Sequence, residues 1–384
     1  MKILVGHNFY QQPGGEDHVF RTQTQLLKAH GHNVHLYERR NAELKKSDAL
    51  SLRFSKRSYQ DVHALGLGFK PDIAHFHNTF FMMTPSVFYA CKNLDIPVVL
   101  SAHNYRLMCI NGLFFRDNRP CEDCTKQTRL SGIVNRCYRS SFAASTVLTD
   151  MVSHHWRRGT WTKMIDRLTV ATEFSRRKHI QAGIPEDKIT VLPHFVDDPG
   201  PVNEAPRQGY ALYAGRLSPE KGLNVLLDAW KSIKDIELYI VGSGPMKASL
   251  EKRVLDEGLT NVKIFGFIEK VEYIKIMKEA MFLVAPCLSY DNFPMVIVES
   301  YSYGVPVLAS RLGSLEEAVE DGVTGRLFKP NDAKDLAEKV NDVLQNLSAH
   351  QTMCINARKT YELKHSPLKH YEALLKIYHE VSHA

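Results

Sequence analysis

The chain has 384 residues, 44% of them hydrophobic and 24% charged, the composition of a globular protein with room for two domains. No apolar run approaches the ~20 residues that cross a bilayer, which argues against a helical membrane protein. Net charge is +7 but unevenly held: residues 1–195 carry 27 Lys and Arg against 16 Asp and Glu, and residues 196–384 carry 22 against 26. The basic half offers Arg39-Arg40, Lys45-Lys46, Lys56-Arg57, Arg157-Arg158 and Arg176-Arg177-Lys178 to an anionic surface, although solvated helix faces explain any single pair. Without aromatic-basic interleaving, the expected partner is a peripheral anionic membrane surface and not nucleic acid.

The first residues, "MKILVGHNFY", are too soon polar for a signal peptide and read as a strand. A helix follows from near Gly15, with Val19, Leu26 and Leu27 inward and Gly31 as its stop. "NVHLYE", "DIAHFH", "PVVLSAH", "RLTVAT" and "ITVLPHF" continue the series of strands, separated by helical patterns. After residue 209 come "YALYAGRL", "IELYIVGSG", "VKIFGF", "MFLVAPC" and "VPVLAS", each ending near a glycine or proline and a new helix. Repeated alternation with wholly apolar strands predicts an α/β protein with parallel sheets covered on both faces, in two doubly wound domains. The proline- and glycine-rich run "DDPGPVNEAPRQG" sets a linker at 197–209, between domains at 1–196 and 210–365. An amphipathic helix closes the chain over 366–384, with Leu368, Tyr371, Leu374, Leu375 and Tyr378 on its apolar side.

In doubly wound sheets, ligands bind beyond the carboxyl ends of the strands, so the residues after each strand deserve inspection. In "YALYAGRLSPEKG", Gly215 ends a strand, and Arg216 and Lys221 flank a helix start. Cations there oppose the helix dipole, so a bound diphosphate explains them better than folding does. In "YIVGSGPMK", Gly242 and Gly244 permit close approach of a ligand, but the dinucleotide fingerprint is absent. Gly266 and Phe267 are candidate walls of a base pocket, with core packing the alternative. In "SYDNFPMVIVESYSYGVPV", Pro294 suits a first helical turn, Met295 to Val298 make that helix apolar all round, and Asp291 or Asn292 is a candidate cap. Glu299, inside this helix, needs a partner: sugar hydroxyls or a buried Arg or Lys. In the first half, Gly14-Gly15 precede a helix, and His77, Asn78, His103, Asn104 and Arg106 lie at strand ends.

These motifs, "GRLSPEKG", "VGSGP", "FGF", "NFPMVIVES" with "GVPVLAS", and "DGVTGRLF", closely resemble glycosyltransferase family 4. The first half resembles it through the glycine pair, "GHNV", "HFHNTF" and "HNYR". The resemblance implies the GT-B fold, two Rossmann-like domains facing across a cleft, with the last helix crossing back to the first domain. It implies a retaining transfer from a UDP- or GDP-linked sugar to an acceptor on the first domain, with no catalytic cofactor or metal. The basic first half suggests a glycan or lipid-linked acceptor near a membrane, and seven cysteines without an export signal suggest the cytoplasm. Arg216 and Lys221 map onto the pair that neutralises the diphosphate, Glu299 onto the ribose acid, and His103 onto the histidine near the donor sugar. Donor contacts are expected from Gly14, Gly15, Gly215, Gly244, Phe267, Asn292, Phe293, Pro294, Met295 and Val296, and acceptor contacts from His77, Asn78, Asn104 and Arg106.

One position departs. The family pattern has glutamate eight residues before Glu299, and this chain has Asp291, whose reach is about 1.5 Å shorter. It is expected to hold donor sugar hydroxyls, with the difference showing in donor choice. Cys109, Cys121, Cys124 and Cys137 are spaced compatibly with a structural zinc site, the alternative being a loop of reduced thiols. Two other readings share the architecture: a nucleotide-sugar epimerase or phosphorylase, and a non-catalytic nucleotide-sugar-binding partner.

Overall fold

The computed structural model describes residues 1–11, 14–44, 51–126, 129–202 and 209–382. The chain divides into two compact units. The first comprises Met1–Phe114, Glu122–His194 and Pro367–Ala384, and the second Phe115–Cys121 and Phe195–Ser366.

The first unit is built on a parallel sheet of β1 (Lys2–Phe9), β2 (Asn33–Arg40), β3 (Ile73–Asn78), β4 (Val98–Ser101), β7 (Arg167–Val170) and β8 (Ile189–Val191), in the order β2-β1-β3-β4-β7-β8. β1 is buried from Ile3 to Phe9, and β3 and β4 throughout, because helices cover both faces. The Gly15–Ala29 helix starts on a capping box between Gly14 and Asp17, and Gly31, at φ +78°, turns the chain after it. The Pro367–Ser382 helix buries Leu374, Ile377, Tyr378 and Val381 against Ile3, Val5, Phe20 and Leu27. Of the expected apolar side, Leu374 and Tyr378 are buried and Tyr371 packs against the core, whereas Leu368 is exposed; the Tyr378 hydroxyl meets His75 Nδ1 at 2.7 Å.

The second unit repeats the plan. Its sheet runs β11-β10-β9-β12-β13-β14, with β9 (Ala211–Ala214), β10 (Leu238–Val241), β11 (Val262–Gly266), β12 (Phe282–Ala285), β13 (Val307–Ser310) and β14 (Gly325–Phe328). A short hairpin of β5 (Phe115–Arg116) and β6 (Arg119–Pro120) groups with this unit. Trp230, Phe282, Phe328 and Leu226 are among its fully buried core side chains. In each sheet the strand order reverses beside the first strand of the unit, between β1 and β3 and between β9 and β12. The loops after those strands therefore adjoin within each unit, where α/β sheets take ligands.

Candidate functional site

In the second unit, the loop after β9 carries Lys221 and the loop after β12 carries Asp291. The Lys221 ammonium donates to the Asp291 carboxylate, and the Cys287 sulfur lies 3.9 Å from the same oxygen. Burial works against the lysine charge, but Asp291 in particular outweighs it and raises the Lys221 pKa, so the ammonium stays charged. Arg216 is exposed on the same loop, its carbonyl fixed by the Tyr213 hydroxyl at 2.8 Å.

The Met295–Ser302 helix begins directly after this pair, with Pro294 at the N-cap and not within the first turn. Pro294 has no capping side chain to offer, and Asp291 is turned to Lys221 instead of to the helix start. Nor is the helix buried all round. Ile297 and Val298 are fully buried, whereas Met295 and Val296 are half-buried, which leaves the first turn open on one side. Phe293 packs near His365, and Asn292 and Pro294 are buried. An uncapped helix start beside a charged lysine is an anion site in the making.

Glu299 has found a partner of its own. Its Oε2 accepts from the Tyr273 hydroxyl at 2.5 Å, so neither a lysine nor an arginine is needed to hold it. Burial first, and then Glu299, push the Tyr273 pKa well up, which keeps the phenol a donor. Glu299 is half-buried, and its Oε1 accepts no hydrogen bond among the described residues.

The glycines of "VGSG" have a different cause from the one expected. A Cβ on Gly242 would lie 1.9 Å from the Gly215 carbonyl oxygen, and one on Gly244 2.4 Å from that of Leu217. The loop bearing Arg216 presses on this backbone, and Leu217 N–H donates to Ser243 O at 2.9 Å. These glycines therefore position the Arg216 loop, and no ligand is required to explain them. Gly215 is exposed beside them, and Phe267, 77% exposed, stands out from the surface instead of walling a pocket within its unit.

In the first unit, His103 follows β4, with its Nε2 3.0 Å from His77 Nδ1 and its ring stacked between His77 and His194. Burial and the neighbouring histidines hold the His103 and His77 pKa values well below the usual imidazole range, so both rings are neutral at physiological pH. His77 is buried beside Gln23, and Asn78 is buried with its amide donating to Asn8 O at 2.6 Å. Asn104 and Arg106 are the more open of the expected acceptor residues. Gly14 is open: a Cβ there would meet nothing within 4 Å, so packing does not demand glycine. Gly15 beside it is exposed at the helix start.

Glu16, which follows that glycine pair, is the side chain the sequence reading missed. Asn78 Nδ2 and Asn104 Nδ2 donate to its two carboxyl oxygens, each at 3.2 Å. Burial, opposed by Arg106, pushes its pKa up to about 8. Its place after Gly14-Gly15 was the available signal. Tyr273 had none, being one tyrosine in a mostly polar helix.

Of the four cysteines spaced for a zinc site, Cys109 is buried and Cys121, Cys124 and Cys137 are half-buried; among the described residues, Cys109, Cys124 and Cys137 do not gather within 4.8 Å of one another. Burial, and then Cys124, pushes the Cys109 thiol up to about 12, and Cys124 and Cys137 pack against apolar core. The basic pairs are largely matched within their unit. Arg39 lies 3.8 Å from Asp61, Arg176 2.7 Å from Glu186 and Lys178 2.8 Å from Glu122, while Arg157 and Arg158 are exposed. Lys45-Lys46 lie outside the described residues. Among the described residues, no helix is long and apolar enough to cross a membrane.

Residues 13–198 match the model of Glycosyltransferase Family 4, and residues 197–360 that of Glycosyl transferases group 1. An uncharacterized glycosyltransferase of Methanocaldococcus jannaschii is 33% identical over 45% of this chain and 48% of its own length. The lipopolysaccharide 1,2-N-acetylglucosaminetransferase of Salmonella typhimurium is 33% identical over 36% of this chain and 40% of its own. These matches thus span about half or less of those relatives. The crystal structure of Anabaena HepE in complex with UDP and glucose aligns over 98% of this chain and 99% of its own, with a TM-score of 0.68 at 18% identity, a likeness of fold. The two parallel α/β units are those of GT-B glycosyltransferases, and across residues 13–360 the chain belongs to the glycosyltransferase family that the two models describe.

Proposed function

We propose that the chain transfers a sugar, with retention of anomeric configuration, from a nucleotide-sugar to a hydroxyl of a glycan or lipid-linked precursor. A UDP-sugar is favoured, in keeping with the UDP bound by HepE. The observation that carries the reading is the charged Lys221 beside the uncapped, half-open start of the Met295–Ser302 helix, with Glu299 one helical turn inside it. In transfer, the bond from anomeric carbon to phosphate oxygen breaks and its electron pair leaves with the diphosphate. The acceptor oxygen bonds the same carbon, and its proton passes to the departing phosphate. Negative charge grows on the diphosphate, where Lys221, Arg216 and the free helix N–H groups stabilise it without a divalent metal. Glu299, oriented by Tyr273, takes the ribose hydroxyls on its free oxygen, and Asp291 takes hydroxyls of the sugar.

A panel of UDP- and GDP-sugars in thermal-shift measurements tests the reading, since a true donor raises the melting temperature by mass action. Product analysis by NMR then reads the anomeric configuration. Transfer with retention, undiminished by a chelator, is expected. Inversion, or a requirement for an added divalent ion, overturns the corresponding part.

We infer further that the acceptor lies at an anionic membrane surface. Leu130, Val134 and Phe142 are exposed at 59%, 75% and 58%, and Arg136 and Arg139 are exposed between and beside them. Apolar side chains next to arginines suit a headgroup layer. Sedimentation with anionic vesicles that is lost at high salt is expected, and no binding at low salt counts against it.

A further inference from the structure

We propose that Glu16 and Arg106 form a subsite for an acceptor sugar bearing a negative group, a uronate carboxylate or a sugar phosphate, with Arg106 holding the charge and Glu16 a ring hydroxyl. This rests on the reading of the chain as a glycosyltransferase and names the class of its acceptor.

Arg106 is an arginine without enough to do. Its Nε and Nη1 are buried and make no hydrogen bond among the described residues. The guanidinium sits 5.2 to 6.0 Å from the ring centres of Tyr10, Phe81, Tyr138 and Phe80. Those faces stabilise a cation and exclude water, which strengthens attraction to any anion that reaches it. The Tyr138 hydroxyl also bonds the guanidinium, but Nε and Nη1 are left over, and a planar guanidinium suits a carboxylate or phosphate. Gly112, at φ +77°, lies beside it: a Cβ there would be in ordinary contact with Arg106 Nη2, at 3.5 Å.

Glu16 completes the site. Asn78 and Asn104 orient its carboxyl from the ends of β3 and β4, and the group is only half-buried. The helix cap and the partner of His7 Nε2 at 2.7 Å come from its neighbour Asp17, so neither task falls to Glu16. A carboxyl with its pKa raised by burial, held at the carboxyl ends of two central strands, is a mark of a binding group. The charged and titratable groups facing it are Arg106, Asp17 and Tyr10. Burial keeps the Tyr10 phenol protonated, and a Glu16 carboxyl that is mostly protonated at neutral pH does not repel an anion.

The test is direct binding to the full chain of glucuronate, glucose 1-phosphate and glucose, followed by saturation-transfer NMR, with UDP binding measured beside it. The two charged sugars are expected to bind at least fivefold more tightly than glucose. Arg106→Gln removes that preference while leaving UDP binding intact. Should that variant not fold, Glu16→Gln serves: wild-type affinity for the charged sugars falls from pH 6.5 to 9, and the variant's does not. Equal binding of all three sugars, or a preference unchanged in both variants, overturns the subsite alone. Charged-sugar binding in a chain that binds no nucleotide and no nucleotide-sugar leaves the subsite standing and overturns the transferase reading.

Discussion

The Lys221 ammonium is held by the Asp291 carboxylate, 70 positions later in the chain, across the β9–β12 reversal of the second sheet. The pair explains the shorter acid: aspartate reaches a lysine beside the helix start, and the carboxylate thereby neutralises a cation that the helix dipole disfavours. Under the proposed function, a donor diphosphate takes over that neutralisation and frees Asp291 for sugar hydroxyls. Asp291→Ala should therefore lower turnover by about 10- to 100-fold while leaving UDP affinity equal or tighter, because one repelling charge is gone. Steady-state kinetics with calorimetric UDP titration separates the two effects. Unchanged turnover with the best donor contradicts the role.

Lys221→Met keeps the aliphatic stem and removes the charge. Turnover is expected to fall by about 100- to 1,000-fold, the loss typical of removing one group aimed at developing negative charge. The Michaelis constant for the donor should change far less. A variant that loses donor affinity and retains turnover would place Lys221 in ground-state binding alone.

The glycines give a paired prediction. Gly244→Ala drives a methyl into the Leu217 carbonyl, so the second unit should lose about 2–3 kcal/mol, read as a fall in denaturation midpoint. Gly14→Ala meets nothing within 4 Å, so stability should stay within about 0.5 kcal/mol while transfer falls, because the methyl occupies the ligand's space. A Gly14→Ala variant with full activity removes that glycine from the site.

Glu16 predicts a pH dependence of stability. Its ordinary value is 4.5, and burial raises it to about 8 in the folded chain. Between those values the folded state keeps a proton that the unfolded state has released, so this group's contribution to stability declines as pH rises through the window. Below pH 4.5 both states are protonated and the effect vanishes. Glu16→Gln should leave the melting temperature near wild type at pH 4.5 and raise it increasingly towards pH 8, with no further gain above. A constant difference across that range contradicts a perturbed carboxyl.

Much of this was legible in the sequence because strands buried on both faces write unbroken apolar runs. "KILVG" and "MFLVAPC" are such runs, and the residues just after them carry the ligand groups by topology. Lys221, Asp291 and Glu299 were placed as candidates this way. Their partners were not. That Asp291 turns to Lys221 instead of capping its helix, and that Glu299 is held by Tyr273, depends on contacts between residues 70 and 26 positions apart, which no local pattern encodes. Gly242 and Gly244 mark a close approach, but the sequence does not say whether ligand or backbone approaches. The cysteine spacing likewise fixes distance along the chain and not in space.

The account stands most directly on nucleotide binding by the second unit, measured by calorimetric titration of UDP and GDP into wild-type and Glu299→Ala protein. One nucleotide, UDP in the favoured case, is expected to bind one-to-one, and Glu299→Ala to weaken it at least tenfold with the fold intact by thermal melting. No binding of either nucleotide to the wild type, or binding indifferent to Glu299→Ala, would contradict it.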